Sequence, residues 1–339
     1  METVLNDIKA QIRSAAHGGD KLAIHGAGSK AFYGEPLLGQ PLDVCEYQGI
    51  VAYEPSELYL TARCGTPLQD IEHVLAEKNQ MLAFEAPHFA GTTVGGCVAT
   101  ALAGPRRAYA GAVRDYVLGL KLIDGRGDEL TFGGQVMKNV AGFDISRFVV
   151  GSLGCLGVVS EVSFKLAPRP ACETTLRLEL GQAAAIDKLN RLAGQPLPLS
   201  ASAWLEGQLW LRLSGAEPAV VAARQLLGGE ALPGAAIWGA LREQTLGLFA
   251  SPRLWRIAVP PATPPQALPE VQQQWQALEL AMLRLKALNE INADLADERM
   301  QFAGAVIDKL RSSMQGVDGY GRHGTLSASG GGSRRLGSA

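Results

Sequence analysis

Twenty of the chain's 40 glycines fall between Gly26 and Gly157, and many of them gather into three turns. The turns are His25-Gly26-Ala27-Gly28-Ser29-Lys30, Thr92-Thr93-Val94-Gly95-Gly96 and Gly151-Ser152-Leu153-Gly154-Cys155-Leu156-Gly157. Glycine admits positive φ and lets the backbone come close to a ligand, so turns of this kind line up amides against an anion. Three in one domain imply a large phosphate-bearing ligand on a scaffold of short strands.

Neither common nucleotide motif fits the first turn. The dinucleotide fingerprint needs a third glycine where Ala31 stands, and the P-loop needs Gly-Lys-Ser/Thr where this chain has Gly28-Ser29-Lys30. Taken alone, the Gly-x-Gly reads better as an ordinary tight turn after a strand.

At 339 residues the chain has room for about two domains. A net charge of −2, from 31 Lys+Arg and 33 Asp+Glu, leaves no electrostatic footprint for nucleic acid or anionic lipid. The five cysteines form no C-x-x-C pair, which excludes a zinc ribbon, a disulfide framework and iron–sulfur spacing and fits a reducing compartment. No metal site is expected. No apolar run reaches the length of a membrane span and no signal peptide is legible, so a cytoplasmic protein is expected.

The pattern along the chain is α+β. Residues 1–170 form the first domain, opening on an amphipathic helix with Leu5, Ile8 and Ile12 on one face. Strands follow at Leu22–Ile24, Leu58–Ala62 and Val117–Ile123, and Asp124–Asp128 turns the last into a hairpin. A helix from Thr66 to about Asn79 takes Thr66 as its N-cap and Gln69 as the partner in a capping box. Residues 171–265 carry a strand over Thr174–Leu180, a helix over Gln182–Leu192, a hairpin around Glu206-Gly207 and a helix over Glu217–Leu227. Beyond the breaker Pro260–Pro265, residues 270–315 place Val271, Trp275, Leu278, Met282, Leu285, Leu288, Ile291, Leu295, Phe302, Val306 and Leu310 at helical spacing. The Gly/Ser/Arg-rich residues 316–339 form a flexible tail.

Several stretches together resemble the FAD-binding domain of the p-cresol methylhydroxylase (PCMH) and vanillyl-alcohol oxidase superfamily. They are Arg114–Gly119, Gly133–Asp144 and Gly151–Leu166. Within it, His25–Phe32, Gly104-Pro105-Arg106-Arg107 and Val136–Gly142 are similar to the FAD-binding subunit of bacterial glycolate oxidase, over roughly residues 5–265. The resemblance implies a PCMH-type FAD-binding domain, a truncated second α/β domain of cap type, and noncovalent FAD. It further implies a catalytic flavoprotein subunit and an iron–sulfur subunit as partners, in a complex lying at the inner face of the membrane through those partners. Gly26, Ala27, Gly28, Ser29 and Lys30 would then present amides to the pyrophosphate. Thr92, Thr93, Val94, Gly95 and Gly96 would line the opposite side. Gly151, Ser152, Gly154, Gly157 and Val158 would approach the adenine and the flavin.

Oxidising a 2-hydroxy acid requires a base at the hydroxyl and a cation for the carboxylate. None of the five histidines falls between Cys172 and Pro265. His88, beside the second turn, reads either as that base or as a loop histidine bonded locally. Arg106 and Arg107 read as a carboxylate clamp or as a rim. Cys155 is expected to be a buried, inert thiol. No residue reads a two-carbon acid, so glycolate rests on the resemblance.

After about residue 268 the chain departs from the family and lacks any Asn-Pro-Gly segment. Residues 288–324 faintly resemble the end of flagellar export chaperones. Two readings follow: an FAD-dependent oxidoreductase subunit of a glycolate oxidase complex, or a non-catalytic interaction protein with a vestigial flavin fold and a partner-binding helix.

Overall fold

The computed structural model describes residues 1–34, 36–134 and 143–250; beyond these it describes 254, 256, 258–261, 263–265, 278, 280–289, 291–292, 298–299, 301, 319–320 and 326–327. Helix α1 (Glu2–Gly18) buries Ile8, Ile12 and Ala15, four and three residues apart on one face, and ends where Gly19 adopts φ 71° and returns its N–H to the Ala15 carbonyl. That face packs with Leu42, Val44, Ile123 and Val158. Beside it, β1 (Leu22–His25) runs parallel to β2 (Gln40–Asp43).

Next come β3 (Ile50–Glu54), β4 (Tyr59–Arg63), α2 (Leu68–Glu77), β5 (Gln80–Met81), α3 (Val94–Thr100) and α4 (Arg107–Ala110). β6 (Val117–Ile123), β7 (Glu129–Gly133), α5 (Ile145–Val149), β8 (Val158–Lys165) and β9 (Ala167–Pro168) complete this part. A five-stranded antiparallel sheet has the order β3-β4-β8-β6-β7. Leu68, Ile71 and Leu75 of α2 and Val94, Cys97 and Val98 of α3 are buried in one cluster with Leu60, Val162 and Phe164 of the sheet. Each such fully buried aliphatic side chain is worth about 1.5–3 kcal/mol.

The central strand β8 is buried over seven of its eight residues, so its polar side chains need partners. Ser163 meets Thr61 at 2.8 Å, Ser160 donates to Glu129 at 2.8 Å, and Glu161 accepts from Tyr47 at 3.1 Å and pairs with Lys121 at 2.9 Å.

The capping box foreseen at α2 does not form. Pro67 is the N-cap; the Leu68 amide donates to the Thr92 carbonyl at 2.8 Å, and the Thr66 hydroxyl accepts from Gly49 N–H at 2.8 Å. A carbonyl distant in sequence satisfies the helix end, so no side-chain cap is required.

A second sheet follows, built from β10 (Cys172–Glu179), β11 (Leu199–Leu205), β12 (Gln208–Gly215) and β13 (Glu230–Leu232) in the order β11-β12-β10-β13. Helices α6 (Gln182–Ala193) and α7 (Glu217–Leu227) bury Ala185, Leu192, Val220, Ala223 and Leu227 with Leu176, Leu209, Leu211 and Leu213 of that sheet. The β11–β12 hairpin turns at Glu206 and Gly207, both at positive φ, as a two-residue loop demands. Helix α8 (Ala235–Arg242) closes this part.

Met1–Pro264 is one compact unit and Pro265–Ala339 a second. In the second, residues 280–289 are helical. Leu278, Met282, Leu285, Leu288 and Ile291 are all exposed, and so are Leu280 and Leu283. Gly319–Tyr320 pairs with Leu326–Ser327. The other members of the expected stripe, Val271, Trp275, Leu295, Phe302, Val306 and Leu310, lie outside the described residues, as does the Val136–Gly142 segment.

Candidate functional site

The first glycine turn leaves the end of β1 with its backbone donors open. None of the five amides from Gly26 to Lys30 donates to an acceptor among the described residues. The Ala31 amide returns to the Gly28 carbonyl at 3.0 Å, and Gly28 sits at φ 68°, the left-handed conformation that glycine adopts without penalty. Successive open amides on such a turn form a concavity for an anion.

The second turn abuts the first through side chains. Thr92 is buried, and its hydroxyl receives the Lys30 ammonium at 2.5 Å and meets the Ser29 hydroxyl at 3.1 Å. Thr93 caps α3, its Oγ1 accepting from Gly96 N–H at 3.2 Å. A Cβ on Gly26 would lie 2.7 Å from that same oxygen, so the two turns touch without room for a side chain. The amides of Val94 and Gly95 are spent on the Thr66 and Cys64 carbonyls, each at 2.8 Å.

The third turn is tied to the other end of α3. Gly151 N–H donates to Val98 O and Leu153 N–H to Ala99 O, both at 2.9 Å. Gly154 packs its backbone against Ile24 of β1, where a Cβ would come within 3.3 Å of Cδ1. Gly157 has a structural reason of its own: at φ 137° its Cβ would meet the Ile123 carbonyl at 2.4 Å. Val158 is buried in the α1 core, and Ser152 is half-buried. All three turns therefore gather around α3 and the end of β1.

Lys30 is 9% exposed. Burial pushes its ammonium down to about 8, against the opposing pull of Cys97 and Glu243. Its Nζ lies 5.9 Å from the centroid of the Phe89 ring.

His88 and Arg106 are brought close to the turns, but other side chains hold them. The His88 Nε2 lies 3.1 Å from a Glu72 carboxylate oxygen and 2.7 Å from an Arg242 nitrogen. Arg242 also donates to the Ala86 carbonyl at 2.8 Å and to Glu72 at 2.5 Å. Glu243 accepts from the backbone amides of His88 and Phe89 at 3.0 and 2.9 Å. Burial acts to raise the Glu72 carboxyl, but the His88 hydrogen bond and the Arg242 charge outweigh it and hold the group below its ordinary value. Arg106 is buried, donates through Nε to Glu85 at 2.9 Å and pairs with Glu173. Glu85 also accepts from Arg212 at 2.9 Å. Arg107 is exposed, and no side-chain partner is found for it among the described residues. Cys155 is exposed rather than buried: the third turn packs through Gly154 on Ile24 and leaves the neighbouring thiol to solvent. Among the described residues no cluster of His, Cys, Asp and Glu could hold a metal ion, and no helix is long and apolar enough to cross a membrane.

Glu72, Glu85, Glu173, Arg212, Arg242 and Glu243 escaped the sequence reading. The ion pairs that tie them to His88, Arg106 and one another across the fold span from 16 to 170 positions, and no local pattern announces such pairs.

Comparison with known proteins supplies the identity of the ligand. The FAD binding domain family matches residues 3–133. Glycolate oxidase subunit GlcE of Escherichia coli (strain K12) is 49% identical over 264 residues, covering 77% of this chain and 75% of that protein. Glycolate oxidase subunit GlcD of Bacillus subtilis (strain 168) is 33% identical over 127 residues, 38% of this chain and 27% of that one. Among solved structures, alkyldihydroxyacetonephosphate synthase superposes with a TM-score of 0.57 at 14% identity, over 70% of this chain and 52% of the other. This chain spans about half the length of that enzyme and shares its fold. The cofactor is FAD, and the open amides between Gly26 and Lys30 fit its phosphates. With half of its aligned residues identical across three quarters of GlcE, the chain belongs to the family of FAD-binding glycolate oxidase subunits, FAD-dependent oxidoreductases with a PCMH-type FAD-binding domain.

Proposed function

We propose that this chain is the cofactor-carrying subunit of a heteromeric enzyme that oxidises glycolate, or a close 2-hydroxy acid, to the 2-oxo acid. The observation that carries the reading is the run of five amides from Gly26 to Lys30 with no acceptor among the described residues. In this reading they hold the FAD pyrophosphate, Thr92 to Gly96 line the opposite wall, and Gly151, Ser152, Gly154, Gly157 and Val158 border the adenine and the flavin. Bound FAD supplies a two-electron acceptor.

The alcohol must lose two electrons and two protons. A general base has to meet its hydroxyl and a cation its carboxylate. Here His88 is engaged by Glu72 and Arg242, and Arg106 by Glu85 and Glu173. Arg107 alone of the candidates stays available. The division of labour therefore favours a partner flavoprotein subunit as the source of the acid–base groups and an iron–sulfur subunit as the electron acceptor, with the complex resting at the inner face of the membrane through those partners. A vestigial site would have no reason to keep five open amides beside a buried lysine.

The test is anaerobic addition of glycolate to the purified chain, alone and co-purified with its partner subunits. The chain alone is expected to hold FAD and stay yellow, and the complex to bleach. A colourless chain that takes up no flavin on incubation with FAD would sink the cofactor placement; bleaching of the chain alone would sink the division of labour.

A further inference from the structure

The ammonium of Lys30 is a buried cation whose single hydrogen-bond partner among the described residues is a hydroxyl, that of Thr92 at 2.5 Å. Buried charges are normally paired, and no carboxylate within the described residues forms an ion pair with this one. Its position is specific. Lys30 is the last member of the run of open amides, and the Thr92 hydroxyl that receives its Nζ also meets the Ser29 hydroxyl at 3.1 Å. The ammonium, the hydrogen-bonded Ser29–Thr92 hydroxyl pair and five amides without acceptors thus share one turn, and the ammonium has no ion-pair partner among the described residues.

We infer that the Lys30 side chain, fixed beside Ser29 by Thr92, supplies the charge that neutralises the FAD diphosphate, so that cofactor binding is coupled to protonation of this one group. The inference rests on the placement of the pyrophosphate at the first turn. The sign follows from linkage. In the cofactor-free chain burial pushes Lys30 down to about 8, so part of the population is neutral in mildly alkaline solution. A diphosphate nearby raises it, and binding takes up a proton. FAD affinity is therefore constant below about pH 7 and falls as pH rises through and beyond 8, by up to about tenfold per unit. The charged group that acts on Lys30 is Glu243 beyond α8, next to His88, Glu72 and Arg242; Cys97 on α3 also faces it. Cys97 is pushed to about 12 by burial and stays a thiol throughout this window.

The experiment is calorimetric FAD titration of the full chain at pH 7 and 8.5, in buffers of different ionisation enthalpy, with wild type, Lys30→Met and Lys30→Arg. Wild type is expected to take up about half a proton or more at pH 8.5 and to lose affinity relative to pH 7. Lys30→Met is expected to bind about 10-fold to 100-fold more weakly at pH 7, with no uptake. Lys30→Arg keeps its charge at both pH values, so it binds FAD without uptake. Wild type without proton uptake, or Lys30→Met with the wild-type pH slope, overturns the inference. Gly28→Ala separates the two levels: if it loses FAD while Lys30→Met keeps it, the inference alone fails, and if both keep it, the pyrophosphate placement fails.

Discussion

Replacing Gly28 by alanine separates what the first turn does for the cofactor from what it does for the fold. Gly28 adopts φ 68°, and a Cβ built there meets nothing within 4 Å. The fold therefore bears only the cost of a non-glycine residue in the left-handed region, about 1–2 kcal/mol. The stiffer unfolded chain returns about 0.4–1 kcal/mol of that. A net loss of about 1 kcal/mol lowers Tm by about 2–4 °C for a unit the size of Met1–Pro264. The same methyl stands among the open amides, where each charge-assisted hydrogen bond denied to a phosphate is worth about 1.5–3 kcal/mol. Losing two of them weakens FAD binding by about 3–6 kcal/mol, which is about two to four powers of ten in Kd.

Gly26→Ala is the contrast. Its Cβ would press on Thr93 Oγ1 at 2.7 Å, and that oxygen caps α3 through Gly96 N–H. Displacing the cap costs about 1 kcal/mol, and the overpacking about 1–3 kcal/mol more. Gly26→Ala should thus lose several more degrees of Tm than Gly28→Ala while both lose FAD. Thermal melts followed by circular dichroism, with flavin absorbance after gel filtration, read the two effects apart. Wild-type FAD affinity in Gly28→Ala, or equal Tm losses in the two variants, would refute the reasoning.

Thiol labelling at pH 8 is expected to modify Cys155 first and to spare Cys64 and Cys97 until the chain unfolds, since burial removes access to both and pushes their thiols to about 12; protection of Cys155 in the native protein would contradict its exposure. Glu72 titrates below its ordinary 4.5, so it contributes stability that is present above about pH 4.5 and is lost as pH falls through its lower folded value. Glu72→Gln should be less stable than wild type by about 1–3 kcal/mol at pH 7 and lose less on acidification, and an unchanged acid profile in denaturant melts would remove Glu72 from the account.

Legibility in the sequence followed the range of the interactions. The β6–β7 hairpin was readable because its turn satisfies itself: Asp124 accepts from the amides of Arg126 and Asp128, and Gly127 adopts φ 75°. Helix α1 was readable because Ile8 and Ile12 carry a period that only a helix buries on one side. The cap of α2 was misread because Thr66 carries the local signature, while the satisfying group is the Thr92 carbonyl. The glycine turns were legible as backbone, through the residue type that permits them. The burial of the Lys30 side chain against Thr92 was not, since that partner is 62 positions away.

Two ion clusters engage the polar side chains near the glycine turns. Glu85 and Arg106 of the first part pair with Glu173 and Arg212 of the second, and Glu72 and His88 of the first pair with Arg242 and Glu243 of the second. Both clusters bracket one segment, residues 85–90, in which Glu85, Phe89 and Ala90 all sit at positive φ. Such conformations cost energy for non-glycine residues and persist only where neighbours hold them. Glu243 does so by accepting the amides of His88 and Phe89, and the Gly91 and Thr92 amides return to the His88 carbonyl. The segment leads to Thr92, whose hydroxyl accepts from Lys30 and meets the Ser29 hydroxyl. Residues 173–243 thereby support the second glycine turn at a distance. Arg242 and Glu243, at the end of α8, fix the loop that leads to Thr92, while Glu173 and Arg212 of the second sheet pair with Arg106 and Glu85 at its start.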